Sequence, residues 1–199
     1  MSAYVDLYMK EVIKITEEID KTQIDKMIKV LSSVSENKGR IFFIGVGGGA
    51  GNATHAVNDF RKIANIESYS PTDNVSELTA RINDDGWESS YTKWLQVSNL
   101  NENDVLFIFS VGGGNIEKNI SANIVESIKL AQKKKARVIG VVGRDGGFTA
   151  EIADACVIIP TVNPETVTPH TEAFQAVIWH LIVSHPELKK NEMKWEEVT

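Results

Sequence analysis

Over residues 3–34 apolar positions recur at helical spacing: Val5, Leu7, Met9, Val12, Ile13, Ile15, Ile19, Ile24, Met27, Ile28, Val30 and Leu31, with charges in most gaps. That period predicts a helix ahead of any strand. The stripe is wide for a helix facing one surface, so the segment is expected both to cover a sheet and to meet another subunit. The pattern then changes. Arg40–Gly45, Asp104–Val111, Arg137–Gly143 and Ala155–Pro160 are short apolar runs, and Ile66–Pro71 is a weaker one. Runs of this kind are strands buried on both faces. Between them, residues 75–84 and 88–99 read as helices parted by the turn cluster Asn83–Gly86. Asn115 reads as the cap of a helix ending near Lys134, and a last helix spans about Thr171 to His185, stopping before Pro186.

Strands alternating with helices of these lengths predict an α/β fold: a doubly wound, five-stranded parallel sheet with helices on both faces. No linker or low-complexity stretch interrupts the chain, so one domain over 1–199 is expected, with 1–34 as its N-terminal helical segment.

Composition narrows the function. The chain has 199 residues, 42% of them hydrophobic, a net charge of −6 and a pI near 5.3. Such an acidic balance argues against a protein that grips nucleic acid by neutralising phosphates. No window approaches the roughly 18 apolar residues of a membrane span. Met1–Leu7 lacks the basic start and apolar run of a signal peptide. The single cysteine, Cys156, can form no internal disulfide and reads as a buried thiol. A cytoplasmic protein is expected.

Chemistry concentrates after the first strong strand. Glycines at 45, 47, 48, 49 and 51 turn the chain, Asn52 or Thr54 could cap the helix that follows, and His55 and Asp59 stand one helical turn apart. A strand, a glycine turn and a helix N-terminus make an anion site. A second glycine triplet, Gly112–Gly114, follows the third strand within Ser110–Asn115. In the strand order 2-1-3-4-5 the two loops border one crevice, which suits a compact phosphate-bearing ligand held from both sides. Gly45–Ala50 also satisfies G-x-G-x-x-A, with Glu67 twenty residues past Gly47, so a dinucleotide enzyme stays open as another reading.

The stretches Gly45–Asp59, Leu78–Trp87, 110–115 and Gly143–Gly147 resemble the sugar-isomerase (SIS) domain, and within it the phosphoheptose isomerases. That resemblance implies interconversion of sedoheptulose 7-phosphate and glycero-manno-heptose 7-phosphate, and a homotetramer with sites at subunit boundaries. The family's His-x3-Glu and Gln-x7-His become His55, Asp59, Glu172 and His180 here. The resemblance assigns proton transfer to Asp59 and His180, and a zinc site to His55, Asp59, Glu172 and His180. It assigns substrate contacts to Gly47, Gly48, Gly49, Asn83, Asp84, Ser110, Gly112, Gly113, Gly114, Asn115 and Glu172.

The departures are in the loops. The family places asparagine and serine in the first loop and hydroxyls along the second. Here the first has Val46 and Gly49, and only Ser110 remains of the hydroxyls in the second. Backbone N–H groups can still hold an anion, with Arg144 or Lys118 beside them, and serine at 49 or 115 is expected to be tolerated. His170 reads as a pocket residue and His185 as a partner of the last helix's C-terminal dipole. The alternative to an isomerase is a non-catalytic SIS module that binds a phosphosugar or a protein.

Overall fold

The computed structural model describes residues 2–192; Met1 and 193–199 lie outside the described residues. Five parallel strands form one sheet: β1 (Ile41–Gly45), β2 (Ser68–Tyr69), β3 (Val105–Ser110), β4 (Arg137–Val142) and β5 (Ala155–Ile158). Their order is 2-1-3-4-5, with every neighbouring pair parallel. Eight α-helices are described: α1 (Ala3–Glu18), α2 (Lys21–Glu36), α3 (Gly48–Lys62), α4 (Val75–Asp85), α5 (Ser90–Val97), α6 (Ala122–Lys134), α7 (Gly147–Ile152) and α8 (Val167–Ser184).

Alternation along each strand sorts side chains into two cores. Ile41, Phe43, Phe107, Phe109 and Val141 pack with α2, α3 and α8. Phe42, Ile44, Leu106, Ile108 and Val138 face α5 and α6 on the other side. Both faces are covered, which is why β1 and β3 read as unbroken apolar runs rather than alternating ones.

Three expected boundaries move. Residues 3–34 form two helices, because Ile19 turns extended and the Asp20 carboxylate accepts from the N–H and hydroxyl of Thr22 at 2.9 and 2.6 Å. An N-cap bond of this kind restarts a helix. Asn52 and Thr54 lie inside α3, whose N-cap is Gly47. Asn115 does not cap α6 either. Its side chain accepts from the Lys118 N–H at 2.8 Å, its backbone pairs with Ile120, and α6 begins only at Ala122. The second glycine loop therefore has no long helix starting on it.

Candidate functional site

The two glycine loops do border one crevice, since β1 and β3 are neighbours and both loops leave their carboxyl ends. The first is steadied by Tyr91, whose hydroxyl donates to the Gly45 carbonyl at 2.7 Å. Burial pushes that phenol up to about 12, so it stays a donor across the physiological range. Close approach explains Gly49: a Cβ there would strike the Phe109 carbonyl on the adjacent strand.

The second loop leans on the turn before α7. The carbonyls of Gly113 and Gly114 accept from the N–H groups of Thr149 and Phe148 at 2.9 Å each, and the Thr149 hydroxyl adds a bond of 2.7 Å to Gly113. Gly113 itself is left-handed, at φ 66°, and abuts the Gly146 carbonyl too closely for any side chain. The buried Ser110 hydroxyl accepts from the Gly113 N–H at 3.1 Å, which leaves its proton to donate. Arg144 stands at the rim with its Cδ against Gly112 and no ion pair among the described residues.

A second constellation lies down the α3–α8 contact. His55, Asp59 and His180 present ligand atoms within 4.8 Å of one another. Asp59 is 2% exposed; Asn58 donates to its Oδ1 at 2.8 Å, while Oδ2 is buried without a partner. That orphan oxygen lies 3.9 Å from Nε2 of both His55 and His180. The spacing is too long for hydrogen bonds but near what ligands of one ion show, given metal–ligand distances of about 2.0–2.2 Å. Nδ1 of His180 donates to the Ala176 carbonyl at 2.7 Å, so Nε2 carries the lone pair. Two imidazoles and a carboxylate fit zinc.

Glu172 is not brought to that cluster. It precedes His180 by eight residues on one helix, about 12 Å of rise. Its carboxylate instead lies against Gly48, where a Cβ would collide with it. Parallel geometry also separates the cluster from the crevice: His55 and Asp59 lie roughly 10–17 Å down α3 from Gly48. Asn83 and Asp84 are exposed at the end of α4 and bond each other at 2.7 Å. His170 is no pocket residue but is buried, with Nε2 donating to the Glu11 carboxylate at 2.8 Å. His185 is the C-cap of α8 and accepts from the Glu187 N–H at 3.3 Å.

Residues 7–143 match the SIS domain family. The chain belongs to the SIS domain family. Relatives include a phosphoheptose isomerase of Rhodospirillum rubrum, 30% identical over 149 residues that span 72% of this chain and 73% of the relative. Another, from Aneurinibacillus thermoaerophilus, is 28% identical over 87% of this chain and 84% of its own. The structure of phosphoheptose isomerase GmhA from Neisseria gonorrhoeae superposes with a TM-score of 0.79 at 25% identity, covering 90% of this chain and 96% of that one. This family membership replaces the dinucleotide reading of the first glycine loop.

Sequence reasoning on this SIS domain missed three contributors. Trp179, fully buried, stacks on His180 with ring centroids 3.4 Å apart and meets His55 edge-on at 4.8 Å, so it sets both imidazoles. Asn58 fixes the Asp59 carboxylate. Asn52 ties α3 to α8, donating to the Glu172 carbonyl and to Gln175 at 2.9 Å each. Only Asn52 left a signal, since it stands one helical turn before the buried Ala56 on the inner face of α3.

Proposed function

We propose that this chain is an aldose–ketose isomerase of a phosphosugar, interconverting sedoheptulose 7-phosphate and glycero-manno-heptose 7-phosphate through an enediol. The observation that carries the reading is the buried, partnerless Oδ2 of Asp59 set between two imidazoles. A non-catalytic module has no use for a desolvated carboxylate aimed at a histidine pair.

Isomerisation needs a base for carbon and an acid–base group for oxygen. Asp59 removes the proton from C1 of the ketose and returns it to C2, giving the aldose. His180 moves the hydroxyl proton between O1 and O2, with its Nε2 lone pair held outward by the Ala176 bond. The same three side chains, His55, Asp59 and His180, also fit a zinc ion, which when bound would supply Lewis acidity toward the carbonyl and would take up the His180 Nε2 lone pair that is otherwise free for proton transfer. The phosphate is taken by the second loop, through the Gly112 and Gly114 N–H groups, Ser110 and Arg144.

The SIS domain takes in the whole chain, 1–199, and works in the cytoplasm; among the described residues no helix is long and apolar enough to cross a membrane. The separation of cluster and crevice along α3 fits a homotetramer in which neighbouring copies complete each site. Exposed apolar side chains support it: Val177 and Leu181 flank His180, and Val5, Met9 and Ile13 line one side of α1. The direct test is isomerisation in deuterated water. Deuterium on the carbon beside the carbonyl is the expected result, and absence of turnover on any heptose phosphate would sink the reading.

A further inference from the structure

Glu11 is the only buried acidic residue of α1, at 7% exposure, and its carboxylate bonds all leave its own helix. It accepts from Asn163 Nδ2 at 2.6 Å, from Thr166 Oγ1 at 2.8 Å and from His170 Nε2 at 2.8 Å. Those donors stand at i, i+3 and i+7 along one continuous stretch, a 3-10 turn (Pro164–Thr166) that runs straight into α8. His170 is 2% exposed and its Nδ1 has no partner among the described residues, so Glu11 takes the one hydrogen bond its ring makes there. Apolar packing would fasten a helix with less desolvation. A buried carboxylate met by three fixed donors instead specifies a single register of α1 on the start of α8.

The next two residues of that turn reach the crevice. Thr171 packs on Gly143 at the end of β4, and the Gly143 N–H donates to the Val111 carbonyl of the second loop at 3.0 Å. Glu172 lies against Gly48 in the first loop, and its carbonyl accepts from Asn52 of α3 at 2.9 Å. Residues 170, 171 and 172 therefore hold α1, the end of β4 and the start of α3 in turn. Three consecutive residues of one helical turn cannot shift independently, because the backbone bonds of the helix fix their spacing.

We propose that Glu11 is a positioning residue for the crevice, acting through His170 to fix the first turn of α8 and with it the spacing of the two glycine loops. Glu11 touches no substrate. The inference rests on the reading of the crevice as a phosphosugar site, and it names a regulator of that site: α1, which lies outside the sheet. With α1 docked, the loops are held at binding distance. With α1 released, the turn is freed and affinity falls. Asp59 and His180 lie further along α3 and α8, so turnover of bound substrate depends on Glu11 much less.

Hydrogen exchange of the full chain, read by mass spectrometry, follows the loops with no ligand present. Glu11→Gln, which keeps the shape, and Glu11→Ala should both speed exchange over residues 45–52 and 167–175. Leu100→Val, a change in the other core just before β3, should leave both stretches as in the wild type, which separates positioning from a general loss of stability. With sedoheptulose 7-phosphate, Glu11→Gln should raise KM about tenfold and keep kcat within about twofold. His170→Gln should match it, and the double variant should be no worse than either, since the two residues act in series. Unchanged exchange over 45–52 in folded Glu11→Gln and Glu11→Ala would overturn the proposal, as would a double variant whose KM rise is the product of the single ones. A wild type that turns over no heptose phosphate, with the faster loop exchange intact in the variants, would remove the isomerase reading and leave the coupling of α1 to the loops standing.

Discussion

Oδ2 of Asp59 faces Nε2 of His180 across the α3–α8 contact at 3.9 Å, with neither atom hydrogen-bonded elsewhere in the described chain. Each group is oriented from behind, Asp59 by Asn58 and His180 by the Ala176 carbonyl. Such a pair is set for proton transfer at a reacting centre, and the loss on mutation should fall on the transition state. Asp59→Asn keeps size and should lower kcat by about 10²–10⁴ with KM little changed. His180→Gln should cost a comparable factor. Steady-state kinetics checks both, and wild-type turnover in the two variants would show that the pair is assigned wrongly.

Asn58→Ala is a milder probe of the same carboxylate. Without the Nδ2 donor, the Asp59 carboxylate loses the one hydrogen bond it accepts among the described residues, and kcat should drop while the fold is kept. The side chain is exposed, so thermal unfolding should move little.

Zinc should raise the unfolding temperature of the wild type, because a ligand that binds only the folded state stabilises it by mass action. His55→Ala and Asp59→Asn should abolish most of that shift, whereas Glu172→Gln should leave it in place, since Glu172 sits at the far end of the α3–α8 contact. Differential scanning fluorimetry against zinc concentration decides it. Equal shifts in wild type and His55→Ala would place the ion elsewhere.

Much of this was legible in the chain. Unbroken apolar runs marked β1, β3 and β4 because both sheet faces are covered, and the glycine triplets marked the ends of β1 and β3. His55 and Asp59 announced themselves by helical spacing. What escaped depended on contacts between distant segments. An asparagine at 115 looks like a helix cap until left-handed glycines at 113 and 114 carry the chain into a separate turn. His170 looked available because Glu11, its partner, is 159 residues away. Glu172 and His180 share a helix, yet eight residues of rise put them at opposite ends of the site.

The glycine loops bear directly on engineering. The sequence alone predicts that serine at 49 is tolerated, but its Cβ would strike the Phe109 backbone carbonyl. Gly49→Ser should therefore destabilise the chain by about 1–3 kcal/mol, the usual range for overpacking. Asn115→Ser sits on an open turn and should cost less than about 1 kcal/mol, the worth of one cap bond. Chemical denaturation of the two variants tests the ordering.

The last prediction concerns α1, which buries only Glu11 and Ile15 of its own residues. Ile15 and Val12 pack into the core, and the rest of its hold on the body of the protein is polar. The Glu11 carboxylate accepts from His170 Nε2 at 2.8 Å, Asn163 Nδ2 at 2.6 Å and Thr166 Oγ1 at 2.8 Å, and the Tyr8 ring lies tilted against His170 with centroids 4.3 Å apart. The His170 bond first, then those from Asn163 and Thr166, hold the Glu11 carboxyl below its ordinary value against the opposing effect of burial. A carboxyl with a lowered folded-state pKa stabilises the fold fully above the unfolded value near 4.5, and that contribution is lost as pH falls through the folded pKa. Docking of α1 should thus persist through mild acid and fail only below the ordinary carboxylate range. Glu11→Gln should release the helix already at neutral pH, because the amide would set an N–H or a weaker acceptor against buried donors. Limited proteolysis within residues 3–18, followed from pH 7 downward, should cut the variant at every pH and the wild type only in strong acid. If the two chains are cut alike at pH 7, the carboxylate is not what fastens α1.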